Sequence, residues 1–144
     1  MVALSPELSR RLSAALAAGG AAAVVASGLL PWLELGSSTL SGFRLADLIV
    51  SLGDDVGPAP PSWIGVAWYG IPVLAVVGWL TVFFPAPPAA RRSHVVIGAI
   101  CAGGGLFYAF VSSRYQGVPM GPLITIIGGA AMAVAGLGVR RRTP

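Results

Sequence analysis

The chain has 144 residues, 56% of them hydrophobic and only 10% charged, with a formal net charge of +4 at pH 7. This composition excludes an ordinary soluble domain, and the length leaves no room for a separate catalytic domain beside membrane spans. All nine basic residues are arginine, and their grouping around apolar runs reads as a topology device rather than a nucleic-acid footprint.

Four apolar runs, 12–33, 62–84, 95–113 and 118–139, contain no Asp, Glu, Lys, Arg or His. A helix needs about 20 apolar residues to cross roughly 30 Å of hydrocarbon. The expected fold is therefore all-α: an integral membrane four-helix bundle forming a single membrane domain over residues 1–144. Arg10 and Arg11 precede the first run, whose small residues near Ala26 and Ser27 imitate a cleaved secretory signal. Its 22 uninterrupted residues exceed a usual signal core, and Trp32 sits where an interfacial anchor belongs. A retained signal anchor is the expectation.

The segment 34–61 is the one substantial loop. It begins with small polar residues, Gly36 to Thr39, after which Ser41 can cap a helix over Gly42 to Leu52. Phe43, Leu45, Ala46, Leu48, Ile49 and Leu52 give that helix a broad apolar side, with Arg44, Asp47 and Ser51 opposite. About 11 residues cannot span a bilayer. The helix should lie flat on the membrane surface or cap the bundle, stopping at Gly53. Asp54, Asp55, Pro58, Pro60 and Pro61 then lead stiffly into the second span.

Pro72 falls inside the second run and should kink it by removing one backbone hydrogen bond. Arg91 and Arg92 follow, and His94 beside them reads as a solvated interfacial imidazole. In the third run Cys101 is the only cysteine, so no intrachain disulfide forms, and a small buried apolar role is expected. Gly103 to Gly105 lack the Lys and Ser/Thr of a phosphate loop. Small residues four apart let membrane helices approach closely. Gly98 with Ala102 and Ala99 with Gly103 offer this in the third run, Gly129 with Ala133 and Ala131 with Ala135 in the fourth, and Ala14 with Ala18 and Ala17 with Ala21 in the first. From Leu123 to Val139 there is no aromatic residue, so this helix is either wrapped by its siblings or pressed against another protein.

Seven arginines (Arg10, Arg11, Arg91, Arg92 and Arg140 to Arg142) flank one side of these spans and two (Arg44 and Arg114) the other. The positive-inside rule then places both termini in the cytoplasm and the 34–61 loop outside, in a multi-pass protein of the inner (plasma) membrane. Trp32, Trp63, Trp68, Tyr69, Phe107, Tyr108, Phe110 and Tyr115 fall in the outer half, against Trp79, Phe83 and Phe84 in the inner half. This uneven belt predicts an aromatic cluster near the outer surface.

Pumps, ion-coupled carriers and voltage sensors need ionisable groups at membrane depth, and the four runs offer none. One His, one Cys and no intramembrane carboxylate cannot make a metal site of ordinary ligand count, and no Ser lies near a His with an orienting acid. Neither catalytic, cofactor nor metal residues are therefore assigned.

The succession Pro31, Trp32, Leu33, then Gly36, Ser37, Ser38, then Ser41, Gly42, Phe43, Leu45, Ala46 resembles the first outer loop of small four-helix membrane proteins abundant in actinobacteria. The resemblance covers about 25 residues together with the hydropathy of the chain. Some proteins of this style are accessory subunits of envelope machines such as the mycobacterial Mce lipid importers. The resemblance thus implies such a role, and it transfers no catalytic residue.

The expected function is a non-enzymatic accessory or assembly subunit of a larger inner-membrane complex, with other integral membrane subunits and membrane lipids as partners and no nucleic acid. The alternative is a lipid- or small-molecule-handling protein with a cavity among the outer aromatics near Pro72. Candidate contact residues are Trp32, Phe43, Leu48, Ile49, Trp63, Trp68, Tyr108, Gly129 and Ala133.

Overall fold

A computed structural model describes residues 5–52, 61–80, 88–114 and 117–138. These form α1 (Pro6–Ser27), β1 (Pro31–Leu35), β2 (Ser38–Ser41), α2 (Gly42–Leu52), α3 (Ser62–Leu80), α4 (Pro88–Ser112) and α5 (Met120–Gly138). Three helical stretches, Ser62–Leu80, Arg92–Ser112 and Met120–Leu137, are long and apolar enough to cross a membrane. Gly53, Asp54, Asp55, Pro58, Pro60, Phe83, Phe84, Tyr115 and Arg140 to Arg142 lie outside the described residues.

The first apolar run does not become one helix. α1 starts earlier than the run, at Pro6, where Ser5 caps the Leu8 amide through its hydroxyl at 3.3 Å and Glu7 pairs with Arg11 at 2.7 Å. It stops at Ser27. Turn hydrogen bonds from Gly28, Leu29 and Leu30 back to Val25, Ala26 and Ser27 close its end. Pro31 then supplies no amide and disfavours helix at Leu30. The apolar part of α1 beyond Arg11 rises only about 24 Å, short of a full crossing.

The remainder of that run enters a hairpin that hydropathy alone did not reveal. β1 and β2 pair antiparallel, with Leu33 opposite Leu40, Glu34 opposite Thr39 and Leu35 opposite Ser38. Gly36 takes φ 60°, the conformation that the first central position of a type II′ hairpin turn needs. The ladder is irregular between Pro31 and Leu33. Trp32 sits at this irregularity, a feature that bends a strand and re-aims a side chain. α2 then runs from Gly42 to Leu52 as anticipated, the Ser41 hydroxyl accepting from the Arg44 amide at 3.4 Å.

The long helices pack as antiparallel neighbours. Along the α1–α5 seam, Gly20 meets Gly128 and Met132, Val24 meets Gly128, and Ser27 meets Thr125. Along the α4–α5 seam, Gly98 meets Gly129 and Ala133, Gly129 meets Ala102, and Gly105 meets Pro122 and Ile126. A Cβ on Gly129 would stand 2.5 Å from the Ala102 nitrogen, so the backbones touch there. α3 is held more loosely, through Gly78 against Ile97 and Gly104 near Ile71. Ala21, Val24, Ala75, Ile97, Cys101 and Met132 make the core where α1, α3, α4 and α5 meet.

The antiparallel order puts Arg10, Arg11 and Arg92 at one end of the array. The hairpin, α2, Arg44 and Arg114 stand at the other, called here the hairpin end. Within its apolar window α5 is 44% buried and α3 only 17%. The aromatic-free helix is therefore the one wrapped by its siblings, lying between α1 and α4. α3 continues through Pro72 to Leu80 without interruption.

Candidate interaction surface at the hairpin end

Trp32 is 3% exposed and touches almost every element that reaches this end. Its indole meets the Trp68 ring of α3 edge-on at 4.5 Å between centroids and the Tyr108 ring of α4 at 5.1 Å. Trp68 and Tyr108 meet each other at 5.7 Å in the same manner. Edge-to-face rings at these separations add to the apolar burial that large aromatics supply. On its remaining sides the indole lies on Gly42 and Gly121, and Gly121 has no room for a Cβ.

A polar thread runs under the indole. Trp32 Nε1 donates to the Ser27 carbonyl at 2.7 Å. The Ser27 hydroxyl lies 2.7 Å from the Val24 carbonyl and 2.6 Å from Thr125 Oγ1, which is 3.1 Å from the Gly121 carbonyl. Ser27 and Thr125 are 2% and 0% exposed. Buried hydroxyls are tolerated because they are partnered, and this pair pins the end of α1 to the start of α5.

α2 is tied to α3 along a second line. Phe43 stacks on Tyr69 at 5.9 Å, and the Tyr69 hydroxyl donates to Asp47 Oδ1 at 2.5 Å. Gly65 accommodates the Ala46 carbonyl and Val50. Phe43 and Asp47 thus meet Tyr69, while Ala46 and Val50 meet Gly65 one turn nearer the start of α3. α2 therefore runs antiparallel along the hairpin-end part of α3 instead of lying flat. The Phe43 amide donates to the Gly28 carbonyl at 3.0 Å, and the Phe43 ring covers Gly28, so α2 begins where α1 ends.

The residues singled out from sequence divide into three sets. Trp32, Trp68 and Tyr108 come together, Trp32 buried and the other two half-buried. Phe43 and Ile49 are half-buried in the cap, whereas Leu48 at 41% and Trp63 at 65% face outward. Gly129 and Ala133 lie far from these, inside the α4–α5 seam, where Gly98 and Ala102 already occupy their small surface.

His94 departs from its expected setting. It is buried rather than solvated, and its Nε2 donates to the Gly78 carbonyl at 2.7 Å. This hydrogen bond ties α4 to α3. Cys101 is fully buried in the core, as a small apolar residue would be.

The contact residues chosen from sequence omit Ser27, Thr125, Gly121 and Tyr69, although Tyr69 was counted in the outer aromatic cluster. One signal was present: Thr125 is the sole polar side chain in 118–139, and a lone hydroxyl in an apolar run invites the question of its partner. Among the described residues no group of three or more His, Cys, Asp and Glu side chains converges. No protein-family model matches the chain, and neither a curated protein nor a solved structure matches it.

Proposed function

We propose that the chain is a non-enzymatic accessory or assembly subunit of a larger inner-membrane complex of the cell envelope. In this reading the chain crosses the bilayer four times as a four-helix bundle, with both termini cytoplasmic and the hairpin end outside. The segregation of Arg10, Arg11 and Arg92 from the hairpin end supports the orientation. The partners are other integral membrane subunits, as the resemblance of the 31–46 segment to actinobacterial envelope proteins implies.

The observation that carries the proposal is how the polar groups at depth are used. Among the described residues every buried side-chain nitrogen or oxygen has a partner within the chain. Ser27, Thr125, Trp32 and His94 hold helices to one another. What faces outward along the helices is apolar, including Trp63, Val66, Val73, Phe107, Phe110, Ile127 and Val134. Such a molecule acts by offering shaped apolar surface in lipid and the cap at its outer end.

Affinity purification from gently solubilised membranes tests this. The proposal expects other membrane proteins to return in fixed ratio, and to be lost with Trp63→Ala. A monodisperse lone chain would sink it, and a lone chain carrying stoichiometric lipid would favour the lipid-handling alternative.

A further inference from the structure

The end of α1 lies at a depth that a loop outside the membrane would not have. Ser27 is level with Thr125, roughly one and a half turns inside the start of α5. Trp32 is level with Trp68 and Tyr108, about 9 Å and about 6 Å inside the ends of α3 and α4. All three partners belong to the stretches long and apolar enough to cross a membrane. From this level α2 restarts beside Gly28 and rises along α3, past Tyr69 and then Gly65.

We infer that the first crossing is an interrupted helix: α1 forms its inner part, α2 its outer part, and the hairpin is inserted at the break, so that Leu29 and α2 contact outer-leaflet phospholipid. The inference rests on the membrane placement proposed above and adds to it where the bilayer surface meets the cap. Non-helical backbone at membrane depth is tolerated only where protein satisfies it. At the break the Leu29, Leu30 and Phe43 amides pair with the Ala26, Ser27 and Gly28 carbonyls, and the Trp32 indole adds to the Ser27 carbonyl.

The outward side chains agree with lipid as the occupant. Leu29 is 71% exposed at the break, and Leu48 and Leu52 form an exposed apolar flank of α2, continuous with the apolar perimeter of the helices. The two charged residues of α2 are accommodated. Asp47 accepts from Tyr69, and Arg44 is long enough to carry its guanidinium toward the headgroups while its stem stays in apolar surroundings.

Nitroxide labels on single cysteines in phosphatidylcholine–phosphatidylglycerol vesicles test this, with Cys101→Ala as the background. Leu29→Cys and Leu48→Cys are the test sites, Leu52→Cys a second site on α2, Ile127→Cys the mid-span reference and Arg114→Cys the aqueous reference. The expected result is that collisions with oxygen outweigh those with a water-soluble nickel chelate at Leu29 and Leu48, as at Ile127, with the ratio inverted at Arg114. Dominance of the nickel chelate at Leu48 or Leu52 while Ile127 remains oxygen-dominated would overturn the inference and leave the membrane placement standing. Scarce collisions with both reagents at Leu29 and Leu48 would overturn it in favour of a protein covering. Nickel dominance at Ile127 would remove the membrane placement, and the inference with it.

Discussion

Between α4 and α5 the closest approach is backbone to backbone, with Gly98, Ala102, Gly129 and Ala133 offering almost no side chain. At the hairpin end the chain is held by its bulkiest residues, with Trp32 wedged among Trp68, Tyr108, Gly42 and Gly121. The difference follows from geometry. Two straight helices in lipid gain most by coming close over a long seam. Where a helix stops and a hairpin leaves the array, the surfaces no longer match. A large amphipathic ring then fills the gap and adds its own donor to the Ser27 carbonyl at the helix end. One seam depends on what is absent from the side chains, the other on one side chain being present.

The largest expected effect comes from removing the wedge. Trp32→Ala should cost about 3–5 kcal/mol, as large-to-small replacement of a buried tryptophan does. The loss should be local: amide exchange should rise across β1, β2 and α2 while the α4–α5 seam keeps its protection. Equal loosening of both regions would erase the distinction between them. Gly129→Leu is the mirror experiment. Its side chain has backbone against it at Ala102 and Gly98, so it should cost about 1–3 kcal/mol of overpacking. Lower thermal stability in mild detergent with an unchanged Trp32 environment, read by fluorescence, is the expected outcome.

A smaller effect should follow from Thr125→Val, which removes one hydroxyl of the thread while Ser27 keeps the Val24 carbonyl, at a cost of about 1 kcal/mol. Combining it with Ser27→Ala should add less than the sum of the single changes, because the two residues share one contact. Full additivity in that cycle would show that the thread does not couple α1 to α5. Tyr69→Phe should do least. It frees Asp47 without disturbing the ring stack with Phe43, so exchange should quicken in α2 alone, with the midpoint of global unfolding unmoved.

Much of this arrangement was legible in the sequence, for identifiable reasons. Ser41 before an amphipathic stretch marked α2 to the residue, and charge-free runs located α3, α4 and α5. The small pairs Gly98 with Ala102 and Gly129 with Ala133 marked a seam, although not which helices would share it. The hairpin was hidden because 12–33 is uniformly apolar, and hydropathy does not distinguish the end of a helix from the start of a buried strand. Gly28 followed by Pro31 was the available stop signal, and Gly36–Ser37 the available turn. The burial of His94 was not legible, because its partner is a backbone carbonyl supplied by another helix. Asp47 with Tyr69 is a side-chain pair 22 positions apart in sequence. Tertiary contacts of this kind leave no periodic trace.

The proposed role of this chain is to act as surface within an assembly. Its most direct test is the mass of the particle carrying it when extracted from native membranes into lipid nanodiscs without detergent. The account predicts a particle containing other membrane polypeptides in constant stoichiometry, with this chain at its edge. A particle whose only polypeptide is a single copy of this chain, from membranes in which the neighbouring proteins are present, would contradict it.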